Sequence, residues 1–217
     1  MGLLAAASIS APALAEPTKG YYTMDAMGCM LLRECTDEVK EVFSLLDISS
    51  EYPNTDDFYS ISTEFNSMLV ALRQVGVNVF LADEKYFPVG HRGVYHTVGN
   101  NFFLNRTFMK RPHVLMSVMR HEGWHAAQDC MAGTIENNMI AIIHNEEDVP
   151  EMWAEMARRS YKDMPHAIPW EKEATWAGKT EGMTMKALQS CAAGTMWTDY
   201  EPTPMTGEWL RENGYIK

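Results

Sequence analysis

The sequence predicts an α+β fold: a small, mostly antiparallel sheet, then a long helix carrying two histidines one turn apart, then further helices. Three observations predict it. Short alternating apolar runs are confined to residues 77–104, helical periodicity lies on both sides of them, and the longest periodic stretch follows directly. No internal repeat, low-complexity tract or long linker interrupts the 217 residues, which implies one domain over residues 16–217.

The first fifteen residues stand apart. Gly2-Leu3-Leu4-Ala5-Ala6-Ala7 opens an uncharged apolar run, and Ala13-Leu14-Ala15 forms an A-x-A cleavage pattern before Glu16-Pro17. A signal peptide over 1–15 is expected, although its usual cationic start is missing. The run is too short to span a bilayer, which takes about 20 residues, so no stable membrane insertion is expected. Export to periplasm, lumen or medium follows as an expectation. In such a compartment Cys29, Cys35, Cys130 and Cys191 form two disulfides. Three pairings exist. Cys29–Cys35 with Cys130–Cys191 is favoured, the first being local and the second tying two helices together.

Thr36 with Asp37-Glu38 opens a predicted helix through about Leu46, and a second runs from about Phe58 to Val75, ended by Gly76. Val77–Leu81, Val94–Val98 and Asn101–Leu104 read as strands, with Gly99-Asn100 as a turn. The strongest helix runs from Pro112 to Met131, and others are expected near 150–161, 169–178 and 183–192. Trp209, Leu210, Tyr215 and Ile216 suggest that the tail packs back on the domain.

The formal net charge of −11 argues against nucleic-acid binding, which needs cations to displace counterions. There is no phosphate loop and no nucleophile elbow. Met24, Met27 and Met30 have a spacing that copper sites share, but i+3 repeats also build ordinary cores.

The chemistry lies in His121-Glu122-Gly123-Trp124-His125. Residues at i and i+4 share a helix face, so both imidazoles reach one ion. Glu122 sits about 100° round the axis, near enough to take a proton from water without ligating. Zinc suits this pair because it accepts imidazole nitrogen and keeps a position open. A third protein ligand is needed. Gln128 and Met131 replace the Gly and His of a metzincin extension. Glu173 stands out because Trp170, Ala174, Trp176 and Ala177 surround it at helical spacing, and a carboxylate there demands compensation. Glu171 reads as a solvated first-turn acid. Glu146, Glu147, Asp129 and His144 remain as alternative ligands, with Asp129 better suited to orienting an imidazole.

His121-Glu122-Gly123-Trp124-His125 followed by Glu171-Lys172-Glu173-Ala174 resembles a gluzincin-type zincin metallopeptidase. The resemblance covers about a third of the chain and implies a zincin-like fold. It also implies Zn2+ on His121, His125 and Glu173, with Glu122 as catalytic base and a peptide or protein as substrate. The chain also resembles a cyanobacterial-type group of exported proteins, which implies no activity. The N-E-x-x-S-D ligand signature of thermolysin-like members is absent, although Glu146 and Glu147 lie near its spacing. Zincin-like sites place a substrate-pairing strand beside the metal helix, and Asn101–Asn105 is the candidate, with an ordinary core strand as the alternative. His144, His166, Tyr95 and Tyr161 are candidates for stabilising an oxyanion. The rival to a hydrolase is a non-catalytic, zincin-like zinc-binding or structural protein of the cell envelope.

Overall fold

The structure, a computed structural model, describes residues 24–200 apart from 134 and 136–138. The expected signal segment and the tail from Pro202 lie outside the described residues. In chain order the elements are α1 (Met24–Leu31), β1 (Val39–Glu41), α2 (Leu46–Ser49), α3 (Ser62–Gln74), β2 (Asn78–Ala82), β3 (Gly93–His96) and β4 (Asn101–Asn105). Then come α4 (Pro112–Met131), α5 (Glu151–Ser160), α6 (Ile168–Lys179), α7 (Met183–Ala193) and α8 (Met196–Asp199).

The sheet has the order β1-β2-β4-β3 and is mixed. β2 and β4 run parallel, and the outer pairs are antiparallel. Both inner strands are covered on two faces. Val79, Leu81, Phe102 and Leu104 pack with Phe65, Leu69 and Leu72 of α3 and Leu115 and Met119 of α4. On the other face, Phe80 and Phe103 meet Met30 of α1. Two-sided burial explains why residues 101–105 are all buried. Met30 is buried in this layer, as the core reading of the methionine stripe requires.

Two expectations are corrected here. Residues 36–46 do not form a helix. Val39–Glu41 pairs with β2, and the Val42 amide donates to the Val79 carbonyl at 2.8 Å. The backbone groups on the outer side of β2 need partners, and that need outweighs the local N-cap signal. Asn101–Asn105 is an interior strand with a neighbour on each side, so it has no free edge for a substrate.

Beyond the sheet, α4 packs against α6 and α7, and a second core of Trp124, Ala127, Met131, Ala174, Ala177 and Ala187 fills their interface. The small residues let α6 approach closely. A Cβ at Gly178 would lie 3.0 Å from the Ser117 carbonyl oxygen and 3.2 Å from the Cβ of His121. Disulfides join Cys29 to Cys35 and Cys130 to Cys191, the second tying α4 to α7. Among the described residues no helix is long and apolar enough to cross a membrane.

Candidate metal centre

Helix α4 presents His121 and His125 on one side, their rings edge to face with centroids 5.0 Å apart. Helix α6 brings a carboxylate to them, and it is Glu171. His121 Nε2 lies 3.1 Å from Glu171 Oε2, and His125 Nε2 lies 3.5 Å from Oε1. One ligand atom from each residue lies within 4.8 Å of the others, the one such group among the described residues. The local reason is helical phase. Glu171, Thr175 and Gly178 share a stripe at i, i+4 and i+7, and Gly178 is where α6 touches the backbone and Cβ of His121.

Glu173 is not in this cluster, which corrects the sequence expectation. Two residues further on it points about 200° away around the axis, into the α4–α6 interface. Its carboxylate accepts from Trp124 Nε1 at 3.1 Å, Gln128 Nε2 at 2.8 Å, the Ile143 amide at 3.1 Å and the His144 amide. Burial pushes its pKa up to about 7, while these donors favour the charge. The apolar stripe did mark a buried carboxylate needing compensation. Neutral and backbone donors supply it.

The same hydrogen bonds set the tautomer of His125. Gln128 Nε2 donates to Glu173 Oε2 and, at 3.2 Å, to the Trp170 carbonyl, both of them acceptors. Its amide oxygen therefore faces His125 Nδ1, 2.8 Å away, and accepts from it. With the proton on Nδ1, the Nε2 lone pair is left for the cluster. Gln128 takes the role that the sequence suggested for Asp129.

These residues fit zinc on three counts. Two imidazoles and a carboxylate are the donor set of many catalytic zinc sites. Zinc bonds of about 2.0–2.1 Å set tetrahedral ligand atoms about 3.3 Å apart; each imidazole nitrogen lies that near to one of the two Glu171 oxygens, at 3.1 and 3.5 Å, and one donor atom from each residue lies within 4.8 Å of the others. Glu171 Oε2 is buried without a hydrogen bond, although His121 Nε2 is close by, so the ring nitrogen is not aimed at it. Burial opposes the charge on Glu171, but the two imidazoles hold it well below the usual carboxylate range. Burial also works against a charged His125, yet Glu171 lifts that imidazole to about 9.

Glu122 is buried beside the cluster. Burial raises its pKa, and the nearby Tyr95 amide of β3 works against that rise. Gly93 makes room for it: a Cβ there would lie 3.0 Å from Glu122 Oε1 and 2.7 Å from Val118. His121 and Glu122 line a cleft of about 530 Å³ with Tyr161, Val118, Met164 and Lys179. Among the oxyanion candidates, Tyr161 is the one in this cleft. Burial with the nearby Glu171 and Glu122 charges keeps its phenol protonated. The His144 ring lies near parallel to Trp124, with Trp176 5.2 Å away, and His166 is exposed on a separate turn. Glu147 is exposed on the turn Glu146–Asp148.

Tyr95 and Asp129 form a pair of their own, the phenol donating to Asp129 Oδ2 at 2.8 Å while Oδ1 is buried without a partner. Burial raises Asp129 to about 7 against a hydrogen bond that lowers it. The folded chain thus binds this proton more tightly than the unfolded chain. The stabilisation is present below about pH 4 and is lost as pH rises towards 7. Asp129→Asn is expected to flatten that slope and raise stability at pH 7 by up to about 4 kcal/mol, as measured by urea unfolding across the window.

No family model, curated protein or solved structure matches this chain.

Proposed function

We propose that the protein is an exported zinc-dependent hydrolase of the gluzincin type, a metallopeptidase, with His121, His125 and Glu171 as metal ligands and Glu122 as general base. One observation carries the reading. Three donor atoms lie within 4.8 Å of one another beside a cleft that His121 and Glu122 line, and Glu122, a second buried carboxylate, adjoins them without belonging to the set. Bound there, zinc would supply a Lewis acid that makes water reactive at neutral pH and polarises a carbonyl.

The chain's own groups supply the rest. Glu122, raised by burial, is placed to take a proton from water and pass it to a leaving amine. Tyr161 carries a protonated phenol in the same cleft and can donate to developing negative charge. β3, an edge strand bordering the cleft through Gly93, takes the substrate-pairing role expected of residues 101–105. The two disulfides accord with an oxidising compartment.

Glu122→Gln tests the reading. The variant should retain about one zinc per chain by elemental analysis while losing at least 100-fold in peptide hydrolysis. Native protein without stoichiometric metal, or a variant that cleaves as fast as the parent, would overturn it.

A further inference from the structure

The cleft has a cationic end, which is out of keeping with a chain of 29 acidic and 18 basic residues. Arg92 and Lys179 both line it. Arg106, Arg120 and Arg158 each meet a carboxylate, but among the described residues no carboxylate lies within ion-pair distance of Arg92 or Lys179. Both are held in place by neutral groups. Lys179 Nζ donates to Ser117 Oγ at 2.9 Å, and the Arg92 guanidinium lies 5.7 Å from the centroid of the Phe108 ring. Partial burial and the like charges of Arg92 and Arg120 lower the pKa of Lys179, so the two cations feel each other.

Their place along the chain sets their place around the site. Arg92 adjoins Gly93, the glycine against which Glu122 rests, and Lys179 adjoins Gly178, the glycine against which His121 rests. The cations therefore come from the residue just before β3 and from the end of α6, next to the two glycines that adjoin Glu122 and His121. Apolar side chains occupy other parts of the lining, with Val89 86%, Met156 41% and Met164 39% exposed. A bound anion would relieve the repulsion between these two like charges.

We propose that Arg92 and Lys179 form a carboxylate-binding subsite, so that the favoured substrate carries an acidic side chain or a free C-terminal carboxylate close to the bond that is cut. This rests on the hydrolase reading of the same cleft. A carboxylate there accepts charge-assisted hydrogen bonds from both cations, which fixes the register of the peptide against Glu122. Val89, Met156 and Met164 offer apolar contact to the remainder of the peptide.

The test is equilibrium binding to the full zinc-loaded chain carrying Glu122→Gln, so that the probes stay intact. Short peptides are compared in pairs, Glu against Gln within the peptide and free acid against amide at the C-terminus. The carboxylate member of at least one pair should bind about tenfold more tightly, and the responding pair identifies the source of the charge. Arg92→Ala with Lys179→Ala should erase that preference and leave the neutral probes unchanged. Both side chains are exposed, and circular dichroism checks the fold. Equal affinity within every pair, a preference that survives the double substitution, or no binding of carboxylate probes at millimolar concentration would overturn the subsite. Zinc content and hydrolysis by the unsubstituted chain are measured separately. Carboxylate preference without zinc or cleavage would sink the hydrolase reading alone, and cleavage without charge preference would sink the subsite alone.

Discussion

Glu173→Ala is expected to destabilise the fold by at least about 4 kcal/mol, through loss of packing polarity and not through loss of metal. Four donors from two parts of the chain converge on this carboxylate: Trp124 and Gln128 on α4, and the Ile143 and His144 amides on the segment preceding α5. Glu173 has no exposure, and Trp124, Gln128 and Ile143 are buried with it. Each stranded donor costs about 1–3 kcal/mol, and such a sum approaches the whole stability of an ordinary domain. Glu173→Gln should fall between, because an amide keeps one acceptor oxygen but turns a donor towards other donors. Urea unfolding at constant m-value reads the effect. A Glu173→Ala protein that kept its unfolding midpoint but lost zinc would show the carboxylate to be a ligand after all.

What the sequence could reveal depended on how local the determinant was. The extent of α4, the Cys29–Cys35 disulfide and Gly76 as a stop for α3 rest on signals within a few residues, and the structure has them as expected, as it has the longer-range Cys130–Cys191 pair. β1 rests on a partner some forty residues away, so its three residues read as part of a helix. The candidate centre divides in the same way. His121, Glu122 and His125 are fixed by i and i+4 spacing on one helix. The choice between Glu171 and Glu173 depends on which side of α6 meets α4. Burial alone misdirected it, because both carboxylates are enclosed and only one is surrounded by donors. One signal was available: Glu171, Thr175 and Gly178 form a stripe that ends in a glycine, and a glycine on a helix face permits the close approach that a shared site requires. Gln128 carried no such mark. Its importance comes from joining Glu173 to His125 across two helices.

Glu171→Ala should weaken zinc binding by more than 100-fold and leave the fold in place, with Gln128→Ala weakening it by about 10–100-fold, as outer-shell changes do. The ordering follows from contact. Glu171 supplies a donor atom, whereas Gln128 sets which nitrogen of His125 is free. Glu171 also has an opposing influence, which makes the experiment decisive. Without metal it lifts the His125 imidazole to about 9, and a proton on that ring competes with zinc near pH 7. Removing the carboxylate lowers this competition. A Glu171 that acted only as a charge partner would therefore, once replaced, leave zinc bound as tightly or more tightly. A Glu171 that ligates would leave the ion with two imidazoles and a far weaker hold. Competition with a chromophoric chelator at about pH 7 distinguishes the two by the sign of the change. Tighter binding in the alanine variant would remove Glu171 from the ligand set.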